Sequence, residues 1–458
     1  MDIVFTDYIT IFDWIITVII IGLISLFAWV YSKYVNKNNP VYKWFLPALL
    51  AKILGGVAIS CIYVYYYGGG DTFGYFNNAL GIVRLTGEDP LAAIRFLAGE
   101  NSKESYWVFD YTYTKMELYM YINPKTWAVS RFSYPFVVLG FGRFLQSTVL
   151  LNIMAFVGPW KLFQLLNRRY PGITKWLAFA VLFIPSCLFW GSSLYKDTFT
   201  FSATLWVFYS FLAIGIEKRK VFLNSIFIII NFYIIISIKP YIFAALLPAV
   251  LFVFLFSLIQ RVQNRLLRLL IFPSYLIIIL FGGLYVFSSL SSELGSYGDI
   301  NDTIQRVVIT REDFINNEIY SDHYFDIGKF DASIGGLIKK IPAALFYGLF
   351  APFPWQVKNV VMLVSSAEAM MFLLFVIRAL WNGIFKKNFF KVIKDPVLIS
   401  FLIFVFIFII FVGLSTANFG SLVRYRIPAL PFLGVILVIL FIKQKPENEY
   451  SQQTEIAE

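Results

Sequence analysis

The sequence predicts an all-α fold: a polytopic transmembrane bundle of about 11 spans, with two long outward-facing loops that carry interfacial helices. Three observations lead there. Hydrophobic residues make up 59% of the 458 and charged residues only 14%, against about 25% charged in an ordinary soluble domain. Apolar runs of about 18 residues or more recur along the whole chain, each long enough to cross a hydrocarbon core of about 30 Å. Lys and Arg gather at alternate connections between those runs, as the positive-inside preference requires.

Taken in order, spans are expected at 11–31, 44–66, 144–166, 174–191, 198–216, 221–238, 240–259, 269–290, 358–380, 396–416 and 427–442. The first carries Asp2, Asp7 and Asp13 at its start rather than Lys or Arg, and nothing like a small-residue cleavage site follows it. It therefore reads as a retained span and not a cleaved signal peptide. The second ends in Tyr63-Val64-Tyr65-Tyr66-Tyr67 and opens into the first long loop, 67–131. Within that loop, 76–98 sets Leu80, Val83, Leu91, Ile94 and Leu97 among polar positions, the pattern of an amphipathic interfacial element. The second long loop, 291–357, carries Glu293, Asp299, Asp302, Glu312, Asp313, Glu318, Asp322, Asp326 and Asp331. Its apolar stretch after Lys339 and Lys340 ends in Pro352-Phe353-Pro354-Trp355 and reads as a re-entrant or surface segment. Residues 1–443 then form a single transmembrane domain, and the polar 444–458 a disordered cytoplasmic tail.

Charge sets the orientation. One set of connections holds Lys33, Lys37, Lys43, Arg168, Arg169, Lys175, Lys218, Arg219, Lys220, Arg261, Arg265, Arg268, Arg378, Lys386, Lys387, Lys391, Lys394, Lys443 and Lys445, against six acidic residues. The opposite set holds 20 of the 27 acidic residues, which puts the N-terminus outside and the C-terminus in the cytoplasm. The same distribution accounts for the net charge of +11, and no basic run is dense enough to track nucleic-acid phosphates. Cys61 and Cys187 both fall in apolar runs, so neither a disulfide framework nor a thiolate metal cage is expected. A single histidine, His323, excludes multi-histidine metal sites and reads as a surface residue. The acidic second loop leaves a divalent cation open, although EF-hand spacing is absent and a solvated acidic face is the commoner reading.

Cations on the outer side are the exceptions to the rule, and they point to a site. Lys196 lies in Gly191-Ser192-Ser193-Leu194-Tyr195-Lys196-Asp197, Lys239 just before Pro240, and Arg424 with Arg426 before Pro428. Each sits where a helix running inward is expected to begin. Cations are depleted on that side and disfavoured at a positive helix N-terminus, so a negative ligand such as a phosphate or pyrophosphate head group is expected among them. Snorkelling to lipid head groups is the competing explanation, strongest for Lys239. Asp197, at a helix start, reads first as an N-cap. The second span is followed by Gly68-Gly69-Gly70-Asp71-Thr72. Three glycines allow positive-φ backbone beside a carboxylate, so Asp71 can be held at the membrane surface next to a substrate, as a base facing both lipid and water. The alternative is a simple helix stop, with Asp71 capping a helix that begins near Phe73. Trp107, Trp127 and Trp355 can stack on sugars but read first as membrane-interface aromatics.

This layout resembles the GT-C superfamily, multi-spanning glycosyltransferases that use lipid-phosphate-linked sugars. The resemblance covers the span order of nearly the whole chain, with Asp71 in a long first outer loop and basic residues in later outer turns. It implies that Asp71 is the catalytic base, that Lys196, Arg424, Arg426 and Lys239 bind the lipid phosphate with Asp197 and Thr72 in support, and that displacement inverts the anomeric carbon. It further implies a polyprenyl-phosphate or polyprenyl-pyrophosphate sugar donor, a glycan or lipid-linked acceptor and a bacterial inner membrane. Two departures stand out: the extra first span, and a single acid in place of the paired acids of some members, which leaves metal dependence open. O-antigen polymerases and ligases are similar in layout. From another class, a lipid-linked-sugar transporter or flippase would line its path with polar residues, and Lys52, Arg143, Lys161 and Glu368 are the charges placed within or near spans.

Overall fold

The computed structural model describes residues 8–37, 39–112, 116–259, 333–386 and 389–442, with Gln305, Val308, Ile309, Arg311, Glu312, Phe325, Ile327 and Gly328 between them. The expected span 269–290, most of the second long loop with His323 and eight of its acids, and the tail 444–458 lie outside the described residues.

Among the described residues every regular element is helical and no strand forms. The helices are α1 (Ile11–Val30), α2 (Phe45–Cys61), α3 (Asp71–Glu88), α4 (Pro90–Ala98), α5 (Leu118–Ile122), α6 (Pro124–Leu139), α7 (Phe144–Arg169), α8 (Thr174–Leu182), α9 (Pro185–Trp190), α10 (Lys196–Gly215), α11 (Val221–Ile238), α12 (Pro240–Ile259), α13 (Ile334–Phe350), α14 (Val360–Lys386), α15 (Phe389–Lys394), α16 (Pro396–Ser415), α17 (Phe419–Tyr425) and α18 (Leu430–Phe441). Among the described residues seven helical stretches are long and apolar enough to cross a membrane: Ile11–Tyr34, Pro40–Tyr66, Phe144–Arg169, Lys196–Gly215, Val221–Ile238, Val360–Trp381 and Pro396–Ser415. An eighth is the pair α17 and α18 taken together, bent by 67°. This is an integral membrane helical bundle, in which the described residues show the expected run 174–191 divided and the run 427–442 joined to a preceding short helix at a bend.

The differences have local causes. The run 174–191 breaks into α8 and α9 because Pro185 forces Ile184 out of the helical region, to φ −67° and ψ 121°. A break inside a bilayer leaves backbone groups that must be satisfied by protein. Buried charges do this for α9 at both ends: Glu368 of α14 accepts from Ser186 N (2.7 Å) and Ser186 Oγ, and Lys52 of α2 donates to Gly191 O. Acid at the N-terminus and base at the C-terminus also match the helix dipole. Arg143 is spent similarly, in an ion pair with Asp13 of α1 at 2.8 Å, and Asp13 in turn closes a capping box with Thr10. Three of the four charges placed within or near spans therefore hold the bundle together.

The first long loop is also built differently from a surface amphipath. Asp89 and Pro90 split it: Asp89 ends α3 and accepts from Ala92 N (2.9 Å) to cap α4. Most of α3 is buried, packed on α6, whereas α4 exposes Leu91 and Ile94 and α5 exposes Leu118, Tyr119 and Ile122. Trp127 is buried in a satellite core with Phe96, Phe109 and Tyr121, whereas Trp107 and Trp355 are exposed. The apolar stretch expected as re-entrant or surface forms α13, which lies along α16. Gly413 permits that approach, since a Cβ there would run into the Ala344 carbonyl.

Candidate functional site

The site lies where the first loop meets the turn between α9 and α10. A π-turn, Ile62–Tyr66, extends α2, after which Gly68, Gly69 and Gly70 take φ of 60°, 159° and 135°. Positive φ at successive residues is a conformation for glycine, and a Cβ on Gly70 would collide with the Tyr63 ring. Gly70 is the N-cap of α3, with no side-chain cap. Asp71 is thus the first residue of the helix and not its cap. It is exposed, and its carboxylate makes no hydrogen bond or ion pair among the described residues. The next residue, Thr72, is buried, and its Oγ1 lies 3.0 Å from Ser193 Oγ, tying α3 to the turn.

That turn is held from below. Asn152 of α7 donates to Ser192 O (2.8 Å), Lys52 to Gly191 O and Thr198 Oγ1 to Ser193 O (2.5 Å). Tyr195 is the N-cap of α10, again without a side-chain cap, so Lys196 and Asp197 are its first two residues. Asp197 is not the cap expected from its position. It is 1% exposed and is the shared counter-ion of two distant cations: Oδ1 accepts from Lys239 Nζ at 2.5 Å, and Oδ2 from Arg424 Nη2 at 3.2 Å and Nε at 3.4 Å. Lys239 sits at the junction of α11 and α12, 4.3 Å from the Tyr425 ring centroid. The Arg424 guanidinium stacks 4.8 Å from the Tyr195 ring centroid, and Tyr195 packs on Tyr63 at 5.4 Å.

Thr72, Lys196, Asp197, Lys239 and Arg424 therefore converge with Asp71. Lys196 is within electrostatic range of Lys239, Asp71, Asp197 and Arg424, and its ammonium, like the Asp71 carboxylate, makes no hydrogen bond or ion pair among the described residues. Arg426 does not join them. It is 1% exposed and donates through Nη1 to Leu349 O (3.0 Å) and Ala351 O (2.5 Å), satisfying the C-terminal carbonyls of α13. Arg424 also departs from its expected setting: it lies in the last turn of α17, where a cation suits the dipole, and not at the start of an inward helix.

Sequence reasoning missed Tyr75 and Tyr195. Tyr75 is one helical turn after Asp71, at the i, i+4 spacing that places two side chains on one face, so that signal was available. Burial first, and then the nearby Asp71 carboxylate, hold its phenol well above its ordinary value, which keeps it a hydrogen-bond donor. Tyr195 is fully buried behind Arg424; only the fold reveals it. Among the described residues no three His, Cys, Asp or Glu side chains gather as a metal site. No family model, curated protein or solved structure matches the chain significantly.

What the arrangement offers chemically is an exposed carboxylate on one side and a cationic patch on the other, bridged by the Thr72–Ser193 contact. Lys196, Arg424 and Lys239 outnumber Asp197 and Asp71, so an anion is attracted to the patch. Arginine held at its back by Asp197 and Tyr195 presents a preorganised donor edge to phosphate oxygens.

Proposed function

We propose that the protein is a membrane glycosyltransferase of the outer face of a bacterial inner membrane, with its N-terminus outside and its C-terminus cytoplasmic. It moves a sugar from a polyprenyl-phosphate or polyprenyl-pyrophosphate donor to a glycan or lipid-linked acceptor, as the GT-C superfamily does. The observation that carries this reading is the pairing of an unengaged Asp71 carboxylate with a cationic patch of Lys196 and Arg424 on the adjoining turns.

In the proposed reaction the acceptor hydroxyl oxygen attacks the anomeric carbon while the bond from that carbon to the phosphate oxygen breaks. Asp71 takes the hydroxyl proton. The lipid phosphate leaves with the bonding pair, and Lys196 and Arg424 stabilise its charge in a setting where water is partly excluded. In this reading neutral Tyr75, one turn after Asp71, donates to the same oxygens.

Transport is the weaker reading. Lys52, Glu368 and Arg143 are committed to a broken helix and to Asp13, so among the described residues these three charges do not form a relay for an ion. The test is the surface-glycan or lipid-linked oligosaccharide profile of cells carrying wild type, Asp71→Asn or a deletion at matched protein levels.

A further inference from the structure

Resting on that reading of the site as one for lipid phosphate, we infer that Lys239 is not a phosphate ligand but the residue that neutralises Asp197, so that the charge of Arg424 is free for the substrate. Three cations surround the patch and one buried carboxylate faces them, and the geometry ranks their claims on it. Lys239 makes the shorter contact, 2.5 Å against 3.2 Å for Arg424. Its side chain is 7% exposed and that of Arg424 20%. The ammonium is enclosed, with the Tyr425 ring covering it at 4.3 Å, and has little surface to offer a ligand. Arg424 touches Asp197 with Nε and Nη2, and among the described residues its Nη1 makes no hydrogen bond, which leaves that edge for an incoming oxygen.

Charge bookkeeping follows from this. Asp197 with Lys239 is a neutral pair that orients Arg424 from behind without cancelling it. Remove the Lys239 charge and Asp197 has one ion-pair partner left among the described residues, Arg424. The guanidinium would then be drawn into a one-to-one buried pair and its attraction for phosphate would fall, although Lys239 itself contacts no substrate. Remove both members of the neutral pair and Arg424 keeps its full charge. Replacing a buried pair together is commonly tolerated, whereas removing one partner alone is costly only if the other is left uncompensated. In Lys239→Met, Asp197 still has Arg424, so the fold should survive.

The two roles for Lys239 predict opposite orders in a double-variant series. The experiment measures binding of farnesyl phosphate, with farnesol as the uncharged control, to purified wild type, Lys239→Met, Asp197→Asn/Lys239→Met and Arg424→Met in detergent, each checked for thermal unfolding. A positioning role predicts that Lys239→Met weakens farnesyl phosphate binding about tenfold or more, the scale of one hydrogen bond to a charge. The double variant should return to within about threefold of wild type, and farnesol should bind all four alike. A double variant at least as weak as Lys239→Met would make Lys239 a direct ligand and overturn the inference while leaving the phosphate site standing. Wild type that binds farnesyl phosphate no better than farnesol would overturn the phosphate site itself, and the inference with it.

Discussion

If the charges inside the bundle are caps for a broken helix, then Glu368→Ala should cost stability and not chemistry. The carboxylate accepts two hydrogen bonds from Ser186, one from the backbone N at 2.7 Å and one from the hydroxyl, and both donors are buried. Each buried donor left without an acceptor costs about 1–3 kcal/mol. Losing the acid at the α9 N-terminus adds about 0.3–1 kcal/mol. The sum is about 3–5 kcal/mol after allowance for relaxation around the cavity, the scale seen when one member of a buried polar pair is removed. Glu368→Gln keeps an acceptor oxygen and should lose about half of that. The assay is thermal unfolding of purified protein in one detergent, read as a shift in apparent Tm on the order of 5 °C or more for the alanine variant, alongside donor turnover per folded molecule. An unchanged Tm would refute the capping role. A stable protein that had lost all activity would reinstate Glu368 as part of a transport or catalytic path.

Four further outcomes follow from the geometry. Gly70→Ala should reduce turnover at least tenfold, because a Cβ meets the Tyr63 ring and the φ of 135° is strained for alanine by about 1–3 kcal/mol; steady-state kinetics checks it, and wild-type turnover would contradict the account. Arg424→Met should raise the donor KM with little change in Tm, whereas Arg426→Met should lower Tm without raising KM, since it strips the α13 carbonyls of their donor. Thr72→Val breaks the link to Ser193 and should cost about 1–2 kcal/mol, seen as a modest Tm loss with kcat falling further than KM rises. Tyr75→Phe should depress kcat in proportion to the oxygen contacts its phenol makes with substrate, and equal kcat for the two proteins would remove it from the site.

The apolar runs 11–31, 44–66, 198–216, 221–238 and 396–416 are legible because hydropathy and helix period agree over a membrane's thickness, and α1, α2, α10, α11 and α16 fall on them. The run 174–191 is equally apolar but carries Pro185 in its interior, and hydropathy alone does not register a missing backbone donor. In the first loop the reverse holds for α3, which is mixed in composition yet buried, since it packs on α6. At the site, Asp71, Lys196, Lys239 and Arg424 were legible as charges in the wrong place. Their shared carboxylate was not, because Asp197 is 42 residues from Lys239 and 227 from Arg424. Arg424 and Arg426 separate because a short helix, α17, ends on them, and residues two apart on a helical turn do not face the same way.

The measurement that bears most directly on the central claim is the glycan profile of cells carrying Asp71→Asn. The substitution keeps the shape of an exposed side chain that makes no hydrogen bond or ion pair among the described residues, so the protein should accumulate and unfold like wild type. The account predicts that Asp71→Asn reproduces the deletion's defect in surface glycan or lipid-linked oligosaccharide, with unused donor accumulating. A deletion that alters no glycan would contradict the transferase altogether; a deletion that does, beside an Asp71→Asn strain with a normal profile, would take the role of base away from Asp71.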